Sequence, residues 1–186
     1  MEPSIIERLP EYEYVGFWKR VLINLLDFLI LAIPAYFLNK WAVWAAEQYH
    51  SGIPLWVQWV LLTLFNIFMV VRYGGTPGRL VLRTRIVNEL GNYPTVKQAV
   101  IRYSFYLVNS LLGVIVTAGD GTVSAVNNYY SDWAPLSTAL IGILSFVILV
   151  DCLIIVFTRR NRALHDVMAG TYVVQKAALD ELNSVS

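Results

Sequence analysis

Charged residues and cysteine are both scarce in this sequence. Charged residues make up 15% of the 186 positions, against about 25% in ordinary soluble domains. Hydrophobic residues make up 57%, against roughly 45–50%. Cys152 is the single cysteine, so an intramolecular disulfide framework is excluded and the residue is most simply a small apolar one. This composition argues against a soluble globular domain.

The hydrophobic residues are concentrated in four long runs, which are Val21–Leu38, Ile53–Val71, Tyr103–Gly119 and Ala134–Thr158. The second and third runs carry no charge, the first contains Asp27 and the last contains Asp151. A hydrocarbon core of about 30 Å requires about 20 helical residues, and backbone groups in lipid need partners within the segment. We therefore predict an all-α membrane protein, a four-transmembrane-helix bundle with spans at about 20–46, 53–72, 99–119 and 134–158.

Positive charge is almost absent from one side of the predicted membrane. Thirteen of the fourteen lysine and arginine residues precede span 1, lie between spans 2 and 3 or follow span 4, and only Lys40 lies on the other side. The positive-inside rule therefore predicts that both chain termini are cytoplasmic. The predicted organisation is an N-terminal tail (1–15), a membrane domain (16–175) and a C-terminal tail (176–186), in the plasma or inner membrane of a prokaryote.

The segment between spans 2 and 3 has a pattern of its own. Gly74-Gly75-Thr76-Pro77-Gly78 indicates a turn, and the alternation over Leu80–Val87 is typical of a short strand. Gly170–Val174 also reads as a turn followed by a strand, so we predict that the two segments pair as a small β-hairpin-like platform. Thr95–Gln98 fits the capping box of a helix that leads into span 3.

Each predicted span also carries a carboxylate or carboxamide at a similar depth. Counted from the nearest flanking arginine, these groups lie about 9–12 Å into the membrane. They are Asp27, Asn66, Asn109 and Asp151, with Asn24 one turn from Asp27. A charge at this depth is normally paired, solvated or protonated.

This polar layer has two interpretations. In the first, Asp27 and Asp151 bind a small cation or a proton, Asn24, Asn66 and Asn109 are neutral ligands, and Arg20 is the charge partner of Asp27. In the second, the same side chains only hydrogen-bond the helices to one another. The identity of any metal ion stays open.

Several classes of function have no support in the sequence. The glycine-rich segment before Arg79 lacks the lysine of a phosphate-binding loop, and His50 and His165 lie on opposite sides of the predicted membrane. No nucleophile is paired with a base by any motif, so we expect no enzyme and no cofactor. The arginines are explained by membrane topology, so no nucleic-acid partner is expected.

Four blocks of the sequence resemble the RDD family of membrane proteins, which is named for one arginine and two aspartates. The blocks are Gly16-Phe17-Trp18-Lys19-Arg20 with Asp27, Gly75-Thr76-Pro77-Gly78-Arg79 followed by Leu82-Arg83-Thr84-Arg85-Ile86-Val87, Gln98-Ala99-Val100-Ile101-Arg102, and Arg159-Arg160-Asn161-Arg162-Ala163-Leu164-His165-Asp166 with Ala169-Gly170-Thr171. The resemblance covers roughly 15–174 and implies that the named triad is Arg20, Asp27 and Asp166. Asn161 departs from the pattern, where glutamine is expected.

The resemblance implies transport, including sodium–proton exchange, for some members, whereas other members look like subunits of larger complexes. Our leading hypothesis is a sodium- or proton-coupled membrane transport protein, or a subunit of one, in which Asp166 is a gate or a brace. Four helices leave little room for alternating access, so a homo-oligomer is expected to supply a shared pathway. The alternative is a non-transporting scaffold or regulatory subunit that docks a partner membrane protein.

Overall fold

The computed structural model describes Ile6 and residues 9–119, 123–124, 126 and 130–185, with the backbone alone for Tyr12, Arg159 and 182–185. Four helices are long and apolar enough to cross a membrane. They are α1 (Phe17–Gln48), α2 (Ile53–Tyr73), α4 (Val96–Gly119) and α5 (Ala134–Phe157). The predicted fold class, with four membrane-spanning helices and a small sheet, is confirmed.

Shorter elements connect and follow these helices. They are α3 (Pro77–Val81), β1 (Thr84–Asn88), a 3-10 turn (Arg159–Asn161), α6 (Leu164–Met168), β2 (Thr171–Gln175) and α7 (Lys176–Val185). The reciprocal capping bonds predicted for α4 are present, because Gln98 N–H donates to Thr95 Oγ1 (3.3 Å) and Thr95 N–H donates to Gln98 Oε1 (3.1 Å). Each bond satisfies a backbone donor that the helix leaves open.

The predicted pairing of the two strands is also found. β1 and β2 are antiparallel, with Ile86 opposite Val173. The strand begins later than the alternation suggested, because Leu80 and Val81 belong to α3. The sheet is not a local hairpin, since α4 and α5 lie between its strands along the chain.

The chain divides into two compact units. We call 1–30, 66–104 and 150–186 the sheet unit, and we call 31–65 and 105–149 the helical unit. In the sheet unit, one core cluster joins Val87 and Tyr172 of the sheet to Ile6 and Tyr14. A second cluster joins Ile86 and Val173 to Val15 and Ile23. This packing fixes the start of α1 against the sheet.

The segments expected to be tails take part in this packing. Tyr14 forms a bridge with Val174, and Val15 N–H donates to Val173 O (2.9 Å). At the other end of the chain, α7 buries Ala178 and Leu179. Residues 1–5, 7–8 and 186 of the predicted tails lie outside the described residues.

The helical unit has a core of small residues. Ala42, Ala46 and Ala118 are buried together with Leu55. Small side chains allow membrane helices to approach one another closely. This unit therefore packs by contact between helices and uses no buried ion pair among its described residues.

Candidate functional site

Asp166 lies at the centre of a group of buried charges in the sheet unit. Arg20 Nη1 donates to Asp166 Oδ2 (2.7 Å), and the guanidinium of Arg102 forms an ion pair with Asp166 Oδ1. The backbone N–H of Ala163 also donates to Asp166 Oδ2 (3.1 Å). All three charged side chains are buried, and Asp166 is 0% exposed. Charges this deep are stable only because they are paired and hydrogen-bonded.

A histidine connects Asp166 to a second buried carboxylate. The Nδ1 atom of His165 lies 2.5 Å from Asp151 Oδ2, and the backbone N–H of the same residue donates to Asp151 Oδ1 (3.0 Å). The Nε2 atom of His165 lies 3.4 Å from Asp166 Oδ1. We call Arg20, Arg102, Asp151, His165 and Asp166 the ion cluster. Its imidazole ring lies between two carboxylates.

The electrostatics of the ion cluster keep this imidazole neutral. The pKa of His165 is lowered from 6.5 to about 4, mainly by burial and then by the guanidinium of Arg102, while Asp151 acts in the opposite direction. With a neutral ring, two arginines balance two aspartates. A buried group with zero net charge avoids most of the desolvation cost of an unbalanced one.

The turn after α5 brings these side chains together. Arg160 and Asn161 both adopt positive φ, at 67° and 50°, a region that asparagine tolerates better than most residues. The turn directs Asn161 O toward the start of α1, where Arg20 Nη2 donates to it (2.6 Å). Arg20 Nε donates to Val15 O (3.1 Å). One guanidinium therefore links α1, the turn and Asp166.

Arg162 supports the same segment from the side of the sheet. Its guanidinium lies 4.2 Å from the ring centroid of Tyr172, and Nη2 donates to Asp166 O (3.2 Å). Thr171 Oγ1 accepts a hydrogen bond from Arg102 Nη1 (2.9 Å). The α6 segment is thus held by side chains from β2 and α4 as well as by its own turn.

Asp27 belongs to a different contact within the sheet unit. Its Oδ1 accepts the backbone N–H of Gly78 (2.7 Å), and its Oδ2 accepts the hydroxyl of Thr76 (2.5 Å). A Cβ atom on Gly78 would lie 2.6 Å from Ile23 O. Only glycine permits this approach, so Asp27 and Gly78 together fix the start of α3 on α1.

The RDD family matches residues 14–170. This chain belongs to the RDD family. No curated protein and no solved structure matches it. Family membership and four apolar helices make this RDD protein an integral membrane protein.

The arrangement of the RDD triad differs from the sequence-based expectation. Arg20 was expected to be the charge partner of Asp27, but its ion pair is with Asp166. Asp27 instead accepts its two hydrogen bonds from the turn at Thr76 and Gly78. The side chain of Arg20 points to the turn after α5. The spacing of residues along α1 gives no information about this contact, because the turn is distant in sequence. Asp166 is buried, and its role as a gate or a brace stays a prediction.

The residues of the predicted polar layer belong to both units. No hydrogen bond joins Asp27 to Asp151 among the described residues, and Asn24 is exposed. Asn66 is half-buried in the sheet unit, and Asn109 is half-buried in the helical unit. Within the described ranges, no group of three His, Cys, Asp or Glu side chains is placed to hold a metal ion. Whether these residues bind an ion stays a prediction.

Two members of the ion cluster were not among the predicted site residues of this RDD protein. His165 adjoins Asp166 in sequence, and adjacency alone gave no reason to connect it with Asp151. Arg102 is four positions beyond the capping residue Gln98 and was interpreted as a topology signal and as one possible partner of Asp151 from a neighbouring helix. Their presence in the blocks that resemble the family was the available signal for both.

Proposed function

We propose that this RDD protein is a sodium- or proton-coupled membrane transport protein, or a subunit of one. The observation that carries the proposal is the line Asp151–His165–Asp166 at the end of α5. It contains an imidazole whose two nitrogens each face a buried carboxylate. A group of this kind exchanges protons without moving far, which is what coupling to a proton gradient requires.

The proton path follows from the two sides of the ring. With the ring proton on Nδ1, which the short contact to Asp151 favours, the lone pair of Nε2 of His165 faces Asp166 and accepts a proton that arrives from the cytoplasmic solvent. Release of the Nδ1 proton to Asp151 then moves one positive charge through the ring. The arginines weaken proton binding by the ring, so His165 acts as a relay and not as a store.

Asp27 supplies the chemistry for a small cation. It is half-buried, and each of its oxygens accepts one described hydrogen bond, which leaves further lone pairs on the carboxylate. The neighbouring hydroxyl oxygen of Thr76 is a second hard ligand. A sodium ion at this position would be coordinated by the remaining lone pairs of Asp27 and by the hydroxyl oxygen of Thr76.

The proposed orientation of the chain in the membrane is based on the charge asymmetry of the sequence. Thirteen of the fourteen cationic residues fall on one side of the predicted spans, so we place both termini in the cytoplasm of a prokaryotic cell. We place the chain in a homo-oligomer or beside a partner membrane protein, because four helices alone leave little room for alternating access.

Flux in liposomes tests the proposal. The full chain is reconstituted, an outward or inward pH gradient is applied, and sodium uptake is followed with internal pH. We expect the gradient to drive sodium movement, Asp27→Asn to reduce sodium flux at least tenfold, and His165→Asn to reduce the linked pH change. Asp180→Asn is the matched control, because Asp180 is exposed on α7 and forms an ion pair with Lys176 at the surface.

If liposomes that contain the wild-type chain showed no more sodium or proton flux than protein-free liposomes, the transport proposal would be contradicted. If sodium flux fell equally in Asp27→Asn and Asp180→Asn, the role proposed for Asp27 would be contradicted, but the proposal of transport would not. Gel filtration of each variant in detergent checks that a lost flux is not lost folding.

A second function is favoured by a specific observation. The carboxylates of Asp27 and Asp166 have protein partners, and the ion cluster has zero net charge when His165 is neutral. Such a cluster braces a surface and needs no substrate, as in a scaffold or regulatory subunit. This alternative expects Asp27→Asn to alter melting temperature or assembly, a membrane protein to co-purify with the chain, and no flux in liposomes.

A further inference from the structure

The helical unit contains a cavity whose lining includes none of the predicted site residues and no member of the ion cluster. Its volume is ≈ 240 Å³, and it is lined by side chains of α1, α2 and α4. Its polar lining consists of the amides of Asn39 and Gln58, the hydroxyls of Ser110 and Thr117, and the indole of Trp59. None of the lining residues is ionisable.

The polar groups of the cavity satisfy one another only in part. Gln58 Nε2 donates to Asn39 Oδ1 (3.3 Å), and Trp59 Nε1 donates to Ser110 Oγ (3.0 Å). The amide nitrogen of Asn39, the amide oxygen of Gln58 and the hydroxyl of Thr117 have no partner among the residues that the structure describes. The cavity therefore offers donors and acceptors together.

This set of groups selects the chemistry of a ligand. A charged ligand would lose its hydration without meeting an opposite charge. A hydrocarbon chain would leave the amide nitrogen of Asn39 and the amide oxygen of Gln58 without hydrogen-bonding partners. We propose that this cavity binds a small uncharged polyhydroxylated group, a polyol or a single sugar ring. Adjacent hydroxyls match the paired donor and acceptor of an amide, and the indole of Trp59 supplies an apolar wall.

The size and position of the cavity agree with such a ligand. Pockets for drug-sized molecules usually measure about 300–1,000 Å³, so this cavity accommodates less. Gln58 is the sixth residue of α2, which is about 8 Å from the helix start at 1.5 Å per residue. The ligand therefore lies close to a membrane surface, where the hydroxyls of a neutral glycolipid headgroup and those of a free polyol both have access.

A glycine in the cavity wall provides a sharp test. Gly113 lines the cavity, and a Cβ atom built on it meets nothing within 4 Å. Gly113→Leu is therefore expected to fill the cavity and to leave the helices in place. Gly142→Leu is the matched control, because Gly142 is a helical glycine of the same unit, has the same open surroundings and does not line the cavity. Thr117→Val keeps the shape of the side chain and removes a hydroxyl.

Binding is measured on the full chain in phosphatidylcholine nanodiscs. Glucose, myo-inositol and glycerol are tested by saturation-transfer NMR, and monoglucosyl diacylglycerol is tested by native mass spectrometry. We expect at least one probe to bind, Gly113→Leu to weaken its binding at least tenfold, Thr117→Val to weaken it severalfold, and Gly142→Leu to leave it unchanged. Binding of a free probe identifies a free ligand, and binding of the glycolipid alone identifies a lipid headgroup. If no probe binds to the wild type, or if Gly113→Leu binds as well as Gly142→Leu, the proposal is wrong.

Discussion

Five buried ionisable side chains of the sheet unit pair with one another in the ion cluster, whereas the polar side chains at the cavity of the helical unit are neutral amides and hydroxyls. The sequence ranges of the sheet unit contain 23 of the 27 charged residues of the chain. Arg20, Arg102, Asp151 and Asp166 are all buried there. The two units therefore depend on different forces for their polar contacts.

The difference determines how each unit responds to substitution. A buried ion pair gains little over a well-packed apolar pair, but the loss of one partner leaves an unpaired charge in a dry site. Neutral hydrogen bonds between membrane helices contribute about 0.6 kcal/mol on average, and their loss is correspondingly mild. The sheet unit should therefore be sensitive to single changes of charge, and the helical unit should tolerate changes of polarity.

The largest effect is expected from Asp166→Asn. The change removes the carboxylate that pairs with the buried side chains of Arg20 and Arg102, and we expect the free energy of unfolding to fall by about 3–5 kcal/mol. Thermal unfolding of the detergent-purified chain measures the effect. Asp132→Asn, at an exposed aspartate of the helical unit, is the control and should shift the melting temperature little. Equal shifts in the two variants would show that the ion cluster contributes no special stability.

The next effect is a dependence of stability on pH. His165 has a pKa of about 4 in the folded chain, against 6.5 when exposed. Between these values the unfolded chain binds a proton that the folded chain does not, so stability is lost as pH falls from 6.5 to 4. The loss is on the order of 3 kcal/mol.

The pH dependence is measured as melting temperature between pH 4 and pH 7. We expect His165→Gln to remove most of the slope, because the ring between Asp151 and Asp166 is gone. His50→Gln is the control, since His50 is the other histidine of the chain and is exposed in the helical unit. If the pH dependence of the melting temperature persisted in His165→Gln and disappeared in His50→Gln, the titrating group would be His50 and the prediction for His165 would be wrong.

Much of the fold could be predicted because its signals are local. Each membrane helix contains a long hydrophobic run of the sequence, and the length of that run is enough to identify the helix. The capping box at Thr95 and Gln98 needs only a spacing of three residues. The pairing of β1 with β2 is the exception, because it joins distant segments. It was predictable because both strands follow similar glycine-threonine turns.

The site was predicted less well because its contacts are not local. Arg20 and Asp27 are seven residues apart on one helix, which is about 10 Å along its axis, so the helix alone does not bring their charged ends together. The partner of Arg20 is 146 positions away. Depth counting placed Asp151 at a polar level of the membrane, but it does not show that the chain returns after α5 to bring His165 beside it. Sequence spacing identifies neighbours on one helix and not across a fold.

A smaller effect on stability is expected from substitution of two glycines, one in close contact with a neighbouring helix and one with open space around it. Gly78→Ala places a Cβ atom 2.6 Å from Ile23 O and 2.9 Å from Asp27 N, so α3 must move away from α1, at a cost of about 1–3 kcal/mol. Gly113→Ala in the helical unit meets no atom within 4 Å and should be neutral or stabilising, since alanine favours a helix by about 1 kcal/mol over glycine. The melting temperature should fall in Gly78→Ala and stay the same or rise in Gly113→Ala, and a Gly78→Ala variant as stable as the wild type would contradict the close approach of α3 to α1.

The smallest effect is expected at an exposed ion pair of the sheet unit, which separates the role of charge from the role of burial. Lys176 and Asp180 pair at 2.8 Å on α7, with side chains 43% and 57% exposed. Asp180→Asn should lower the free energy of unfolding by at most about 0.5 kcal/mol, and less at high salt, because water solvates the lysine that remains. Asp166→Asn also removes one negative charge and leaves cations behind, but no water reaches them. If Asp180→Asn destabilised the chain as much as Asp166→Asn, burial would not be the reason that the ion cluster is sensitive. A tenfold smaller effect would assign that sensitivity to the dry surroundings of Asp166, because the charge removed is the same in both variants.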